Sequence, residues 1–271
     1  MATRTNRFGL PRHIPPATKY AIRKRCGFGC VICGHAIIHY EHVDPEFKDA
    51  TEHKPEAMVL LCAGCHDKVT RGQWSKETVK RASASPKCLE KGFSFGVFDI
   101  GNDPPDIIFG GLHAVRSGTV LRIYGRDVLS VLPPEEPHGP FRISAFLADG
   151  KGEEMCVIED NEWRVQSGMS DLTVVGQVIQ VSRPAPSQPT MVIRVDPPRG
   201  INICSLLMRY QDVMISADEK YSVVQFLPGG KQFLVSGTKV FDAEVIMDVQ
   251  ARDRVKLGLG GLCELGLTQW Q

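Results

Sequence analysis

An α+β chain in two parts is what this sequence predicts: a small module of helices and short strands, then a larger all-β domain. Three observations carry that expectation. Cysteine and histidine crowd into the first part, with five of nine Cys within 26–65 and five of eight His within 35–66. After about residue 85, short β-branched and apolar runs alternate with Pro and Gly turns, the pattern of half-buried strands. Charge reverses too: 16 Lys and Arg against 9 Asp and Glu over 1–92 (+7), then 16 against 22 over 93–271 (−6).

With 271 residues, 42% of them hydrophobic and 23% charged, the chain is long enough to bury a sizeable core and too apolar for wholesale disorder. No apolar run approaches the roughly 18 residues of a membrane span, and the first residues lack the apolar stretch of a secretory signal. The expectation is a soluble, cytoplasmic protein with no membrane partner.

Segment 1–16, with Pro11, Pro15 and Pro16, reads as an extended basic arm. Seven basic residues, from Arg4 to Arg25, precede the first acidic one, Glu41. A one-signed stretch suits a polyanion, whose counterions are released on binding, and equally suits a solvated face. A helix is expected from Ala17 to about Lys24, then two strands near 37–43 and 58–61 flanking a loop at 44–54. A second helix starts at about Cys65 and stops at Arg71-Gly72; Ser75 then caps a last helix, 76–81. Residues 82–87 read as a helix stop and a short linker, so the first domain spans 17–85 and the second 93–271.

In the second domain the strand candidates are 119–124, 128–132, 141–147, 155–158, 174–181, 191–195, 213–216, 222–227, 232–235 and 240–249. Turn chemistry separates them: Pro133-Pro134, Asp149-Gly150, 184–189, 196–200 and Pro228-Gly229-Gly230. Such spacing predicts an antiparallel sandwich or barrel; without a clean repeat period a solenoid ranks last.

The strongest motif is Cys30-Val31-Ile32-Cys33-Gly34 with Cys62-Ala63-Gly64-Cys65, two C-x2-C knuckles 28 residues apart. Each puts two thiolates on one turn, and two knuckles close a tetrahedral structural Zn2+ site. Gly27, Gly29, Gly34 and Gly64 are expected to supply the tight turns. Disulfides are the competing reading and fit a cytoplasmic chain badly. Cys26 could replace Cys30 only with an unusual spacing, and Cys88, Cys156, Cys204 and Cys263 read as core thiols.

Between the knuckles stand His39-Tyr40-Glu41-His42-Val43-Asp44-Pro45, and Met58-Val59-Leu60-Leu61 runs into Cys62 and on to His66. This set resembles the HNH endonuclease family in its zinc-supported form, over about residues 20–80. The resemblance implies a ββα-metal fold and metal-dependent hydrolysis of phosphodiester bonds, in DNA before RNA, leaving 5′-phosphate and 3′-hydroxyl ends. It implies His42 as the general base, with Glu41 and His66 holding a catalytic divalent cation (Mg2+, Mn2+, Ni2+ or Zn2+). The chemistry agrees: such hydrolysis needs a neutral imidazole near pH 7 and a cation to stabilise the developing charge. Alternation on a strand sends Glu41 and His42 to opposite sides.

Where the family commonly carries P-E-N, this chain has Pro55-Glu56-Ala57. His53, in the same loop, is a candidate substitute, as a partner that orients the base or as a further metal ligand; an exposed loop histidine is the plain alternative. Arg23, Lys24, Arg25, Lys68 and Arg71 are candidate phosphate contacts, and Trp74 reads as packing. A catalytically inactive zinc-ribbon binding protein with a β-rich partner-binding domain is the second functional reading. The β-rich part offers no catalytic constellation: His113 and His138 are isolated, and 160–163 reads as a strand-end corner. Its expected role is homo-oligomerisation or sensing.

Overall fold

The computed structural model describes residues 5–167, 171–182, 190–251 and 253–264. The expected turn at 184–189 lies outside the described residues. The fold is mostly β. Two compact units divide the chain: residues up to Gly96 together with Val165–Val175, and Val97–Arg164 together with the chain from Gly176 onward.

In the first unit, helix α1 (Pro16–Cys26) begins with proline at a position whose N–H would have no helical partner, and ends on Gly27 at φ 71°. Arg23, Lys24 and Arg25 fill its last turn, where cations complement the exposed carbonyls. Strand β1 (His39–His42) pairs antiparallel with β2 (Met58–Leu61), His42 opposite Met58 and His39 opposite Leu61. All four residues of β2 are buried, so this strand carries the small core with Ile14, Ile22, Cys26, Val31 and Val79. Helix α2 (Ala63–Thr70) follows β2 at once, and α3 (Lys76–Ala84) is capped by the Ser75 hydroxyl, which accepts from Thr78 N at 3.2 Å.

Two expectations fail here. The described part of the arm, 5–15, is folded back and not extended: Asn6 donates to the carbonyls of Phe47 (2.5 Å) and Ala50 (2.7 Å) and accepts from the N–H groups of Phe8 and Leu10. One short polar side chain that satisfies four backbone groups folds and docks the segment. Nor is 82–87 a linker. A further helix, α4 (Lys87–Lys91), starts there, Lys87 N donates to Val31 O, and Cys88 is fully buried. Strand β3 (Phe93–Val97) comes next, and the first unit's main segment ends at Gly96.

The second unit holds open sheets, not a closed barrel. One ladder runs Thr119–Ile123, Arg126–Leu132, Arg142–Ala148 and Glu154–Glu159 through antiparallel neighbours. The expectation of purely antiparallel pairing is corrected. Thr119–Ile123 lies parallel to Val245–Gln250, Leu112–Val115 parallel to Thr238–Phe241, and Asp106–Phe109 parallel to the start of Gly200–Tyr210. Gly200 is required there: at φ 151° a Cβ would collide with the Asp106 carbonyl oxygen. The expected strand 240–249 is broken by Asp242 at φ 53°, and 174–181 by Gly176 at φ 57°. Asn161 forms the expected corner, accepting from Ile143 N (2.7 Å) and donating to Phe141 O (2.8 Å). Among the described residues no helix is long and apolar enough to cross a membrane.

Candidate functional site

The two knuckles meet at the end of β2. The first follows α1, where Cys30 N donates to His35 O (2.9 Å) and Gly34 N, at φ 92°, donates to Cys30 O (2.8 Å). Gly29 is needed for close approach, because a Cβ there would stand 2.6 Å from Cys88 Sγ. Gly64 does not make the expected turn. It lies in the first turn of α2 with open space around it. In the second knuckle Cys62 Sγ also caps α2, accepting from Cys65 N at 3.4 Å.

The sulfurs of Cys30, Cys33, Cys62 and Cys65 all lie within 4.8 Å of one another, with 3.6 Å between Cys33 and Cys62. Zn–S bonds of about 2.3 Å at tetrahedral angles put sulfurs roughly 3.8 Å apart, so the donor set fits a structural metal ion such as zinc. The thiols are strongly coupled. A hydrogen bond from Cys33 brings Cys30 down to about 5, the same contact pushes Cys33 up, and burial with the neighbouring sulfurs pushes Cys65 up to about 12. All four become thiolates together only with a cation among them.

Strand β1 carries Glu41 and His42 side by side, and both line one cleft. His42 is 6% exposed, and α2 carries His66 Nε2 to 3.1 Å from Glu41 Oε2. That is a hydrogen-bonding distance, and among the described residues no third His, Cys, Asp or Glu joins the pair as a candidate metal ligand. The other carboxylate oxygen, Oε1, accepts from Lys76 Nζ at 2.6 Å, and Lys76 also reaches His42 O at 3.2 Å. His42 Nε2 stands 3.2 Å from His53 Nδ1, and His53 Nε2 stands 2.8 Å from Pro11 O.

A cleft of about 250 Å³ opens on this group, lined by Arg12, Glu41, His42, Phe47, His53 and Lys76 among others. Burial is the main cause that lowers the His42 pKa below its ordinary value. The nearby His53 and Lys76 add to the shift and Glu41 opposes it. The imidazole is therefore neutral at pH 7, the state a general base needs.

His53 faces His42 and not the Glu41–His66 pair. Lys76, Arg12, Phe47 and the Pro11 carbonyl were not singled out by sequence reasoning. For Lys76 the signal was present, since Ser75 marks the helix start that delivers it.

The expected phosphate contacts divide. Arg23 is bound bidentately to Asp171 (2.8 and 2.6 Å) and donates to the Tyr40 hydroxyl (2.9 Å). Arg25 donates to the carbonyls of Pro55 and Met58. Both are engaged in hydrogen bonds within the unit. Lys24, Lys68 and Arg71 are exposed, with Lys68 Nζ 4.5 Å over the Trp74 ring and Arg71 paired to Asp67 at 2.8 Å. Trp74 packs against the core as expected.

Compared with protein-family models, curated proteins and solved structures, the chain matches none.

Proposed function

We propose that the first unit is a metal-dependent endonuclease of the HNH type, built on a ββα-metal fold and acting on DNA before RNA. The observation that carries this reading is the convergence of a buried, neutral His42 with the Glu41–His66 pair, 3.1 Å apart, beside a four-cysteine cluster. Glu41 and His66 would hold the divalent cation, which would supply Lewis-acid stabilisation of the developing negative charge. His42 accepts a proton from water as the water oxygen bonds to phosphorus. The P–O3′ bond breaks, and the 3′ oxygen takes a proton from solvent. Lys76 fixes the Glu41 carboxylate in place by its 2.6 Å bond. Cys30, Cys33, Cys62 and Cys65 would hold the zinc, which would join the turn after α1 to the start of α2 and so hold His66 in register with β1. The second unit has no step in this reaction.

The test is plasmid cleavage with Mg2+, Mn2+ or Ni2+. His42→Ala should lose about 100- to 10,000-fold of the rate at every metal concentration, the usual worth of a general base. Glu41→Ala and His66→Ala should lose activity that added metal partly restores. Wild-type protein that binds duplex DNA and cuts none of it with any divalent ion refutes the enzyme reading and leaves a zinc-dependent binding module.

A further inference from the structure

We propose that His53 is a positioning residue for His42, its own tautomer set by the main-chain carbonyl of Pro11 in the docked N-terminal segment. The argument follows from which atoms can donate. A carbonyl oxygen only accepts, so His53 Nε2, 2.8 Å from Pro11 O, carries a proton. Neutral imidazole then has its lone pair on Nδ1, and that atom faces His42 Nε2 at 3.2 Å. His42 Nε2 must therefore be an N–H donor, and its lone pair is confined to Nδ1. A base whose lone pair is locked on one nitrogen loses no population to the wrong tautomer.

The chain's own packing maintains this relay. Phe47 lies nearly parallel to the His53 ring (11°, centroids 6.4 Å apart), with its centroid 5.4 Å from that of His42. The carbonyls of Phe47 and Ala50 hold Asn6, which folds the segment that presents Pro11. Base orientation thus passes from Asn6 through the Pro11 carbonyl and His53 to His42, at a site where Ala57 offers no side-chain amide. The arm is accordingly a wall of the active site, and not a free tail for phosphate.

The inference rests on the nuclease reading for its catalytic consequence; the tautomer itself is read without cleavage. Full-length, zinc-loaded protein labelled with 15N-histidine is examined by long-range 1H–15N correlation at about pH 7.5, above the ordinary histidine range. His42 should be the Nε2–H tautomer in wild type and a mixture in His53→Ala. It should return to Nε2–H in His53→Asn, whose amide oxygen can accept the same proton. Asn6→Ala leaves both histidines in place, loosens Pro11 and should shift His42 toward the mixture, and it carries the test if His53→Ala does not fold. In cleavage, His53→Ala should lower kcat by about 10- to 100-fold, the scale of a lost orienting partner, with KM within about twofold, and His53→Asn should recover most of it. An Nδ1–H His42 in wild type, or a His42 tautomer unmoved in both His53→Ala and Asn6→Ala, overturns the proposal. If the tautomers behave as stated and no divalent ion supports cleavage, the positioning of His42 stands and the nuclease reading falls.

Discussion

Replacing Cys62 by serine separates two roles that one sulfur performs. Cys62 Sγ belongs to the four-cysteine cluster and also caps α2 by accepting from Cys65 N. Serine is among the best N-caps, so Cys62→Ser keeps the cap to within about 1 kcal/mol and removes only the soft ligand. Sites of this kind bind zinc with apparent energies of about 10–16 kcal/mol, against roughly 5–15 kcal/mol for the stability of a domain. Losing even a third of that energy is enough to unfold much of a unit whose core is a few residues around β2. Freshly purified wild-type protein should hold close to one zinc per chain and resist protease over 5–96. Cys62→Ser should lose the zinc and become cleavable within that stretch while the β-rich unit persists. A Cys62→Ser protein that keeps both its zinc and its protease resistance would refute the reasoning.

The lowered His42 pKa puts the acid limb of the cleavage profile, at saturating metal, below the ordinary histidine value of about 6.5. A midpoint at or above that value counts against His42 as the base. The same shift predicts that stability falls with pH below about 6.5, because the unfolded chain takes up a proton there that the folded imidazole resists; urea titrations of wild type and His42→Gln across that range would show it. Arg23→Ala should cost about 1–3 kcal/mol, since it leaves the largely buried Asp171 carboxylate without its bidentate partner, and should leave the salt dependence of DNA binding unchanged. Lys68→Ala should do the reverse, reducing the slope of log K against log salt by about 1 with stability intact, as measured by binding titrations over a salt series.

Legibility in the sequence followed the range of the interaction. The knuckles, β2 and the Ser75 cap were readable because each is a local pattern with a local physical cause. Lys76 on Glu41 and Pro11 on His53 were not, since 35 and 42 residues separate the partners and no period links them. Charge counting also gave no sign of the internal partners of Arg23 and Arg25, because composition cannot register a carboxylate at 171 or carbonyls at 55 and 58. In the second unit, Asp106–Phe109 and Leu112–Val115 were missed: four-residue strands are too short for alternation to show, although Gly110-Gly111 between apolar runs is a hairpin signal. The parallel pairings were hidden for another reason. Turn residues report which strands are joined, whereas these partners lie far apart in sequence.

The basic excess of the first unit therefore means something narrower than its sum. Arg7 is paired with Asp49 at 2.5 Å, Arg12 lies 4.7 Å over the Phe47 ring, and Arg23 and Arg25 are held internally. Of these four only Arg12 lines the cleft; the others are engaged elsewhere in the unit. The cation that matters most to the proposed chemistry is Lys76, because its ammonium occupies one oxygen of the carboxylate whose other oxygen faces His66. An ammonium beside a two-ligand site works against holding a bare divalent ion, since it repels the ion and shares the charge of Glu41. On the proposed reading a phosphate would reverse that balance, since its charge would be attracted by ion and lysine alike. That reading would have catalytic metal and phosphodiester bind together at Glu41, His66 and Lys76, whereas the cysteine cluster has the four donors to hold an ion without either.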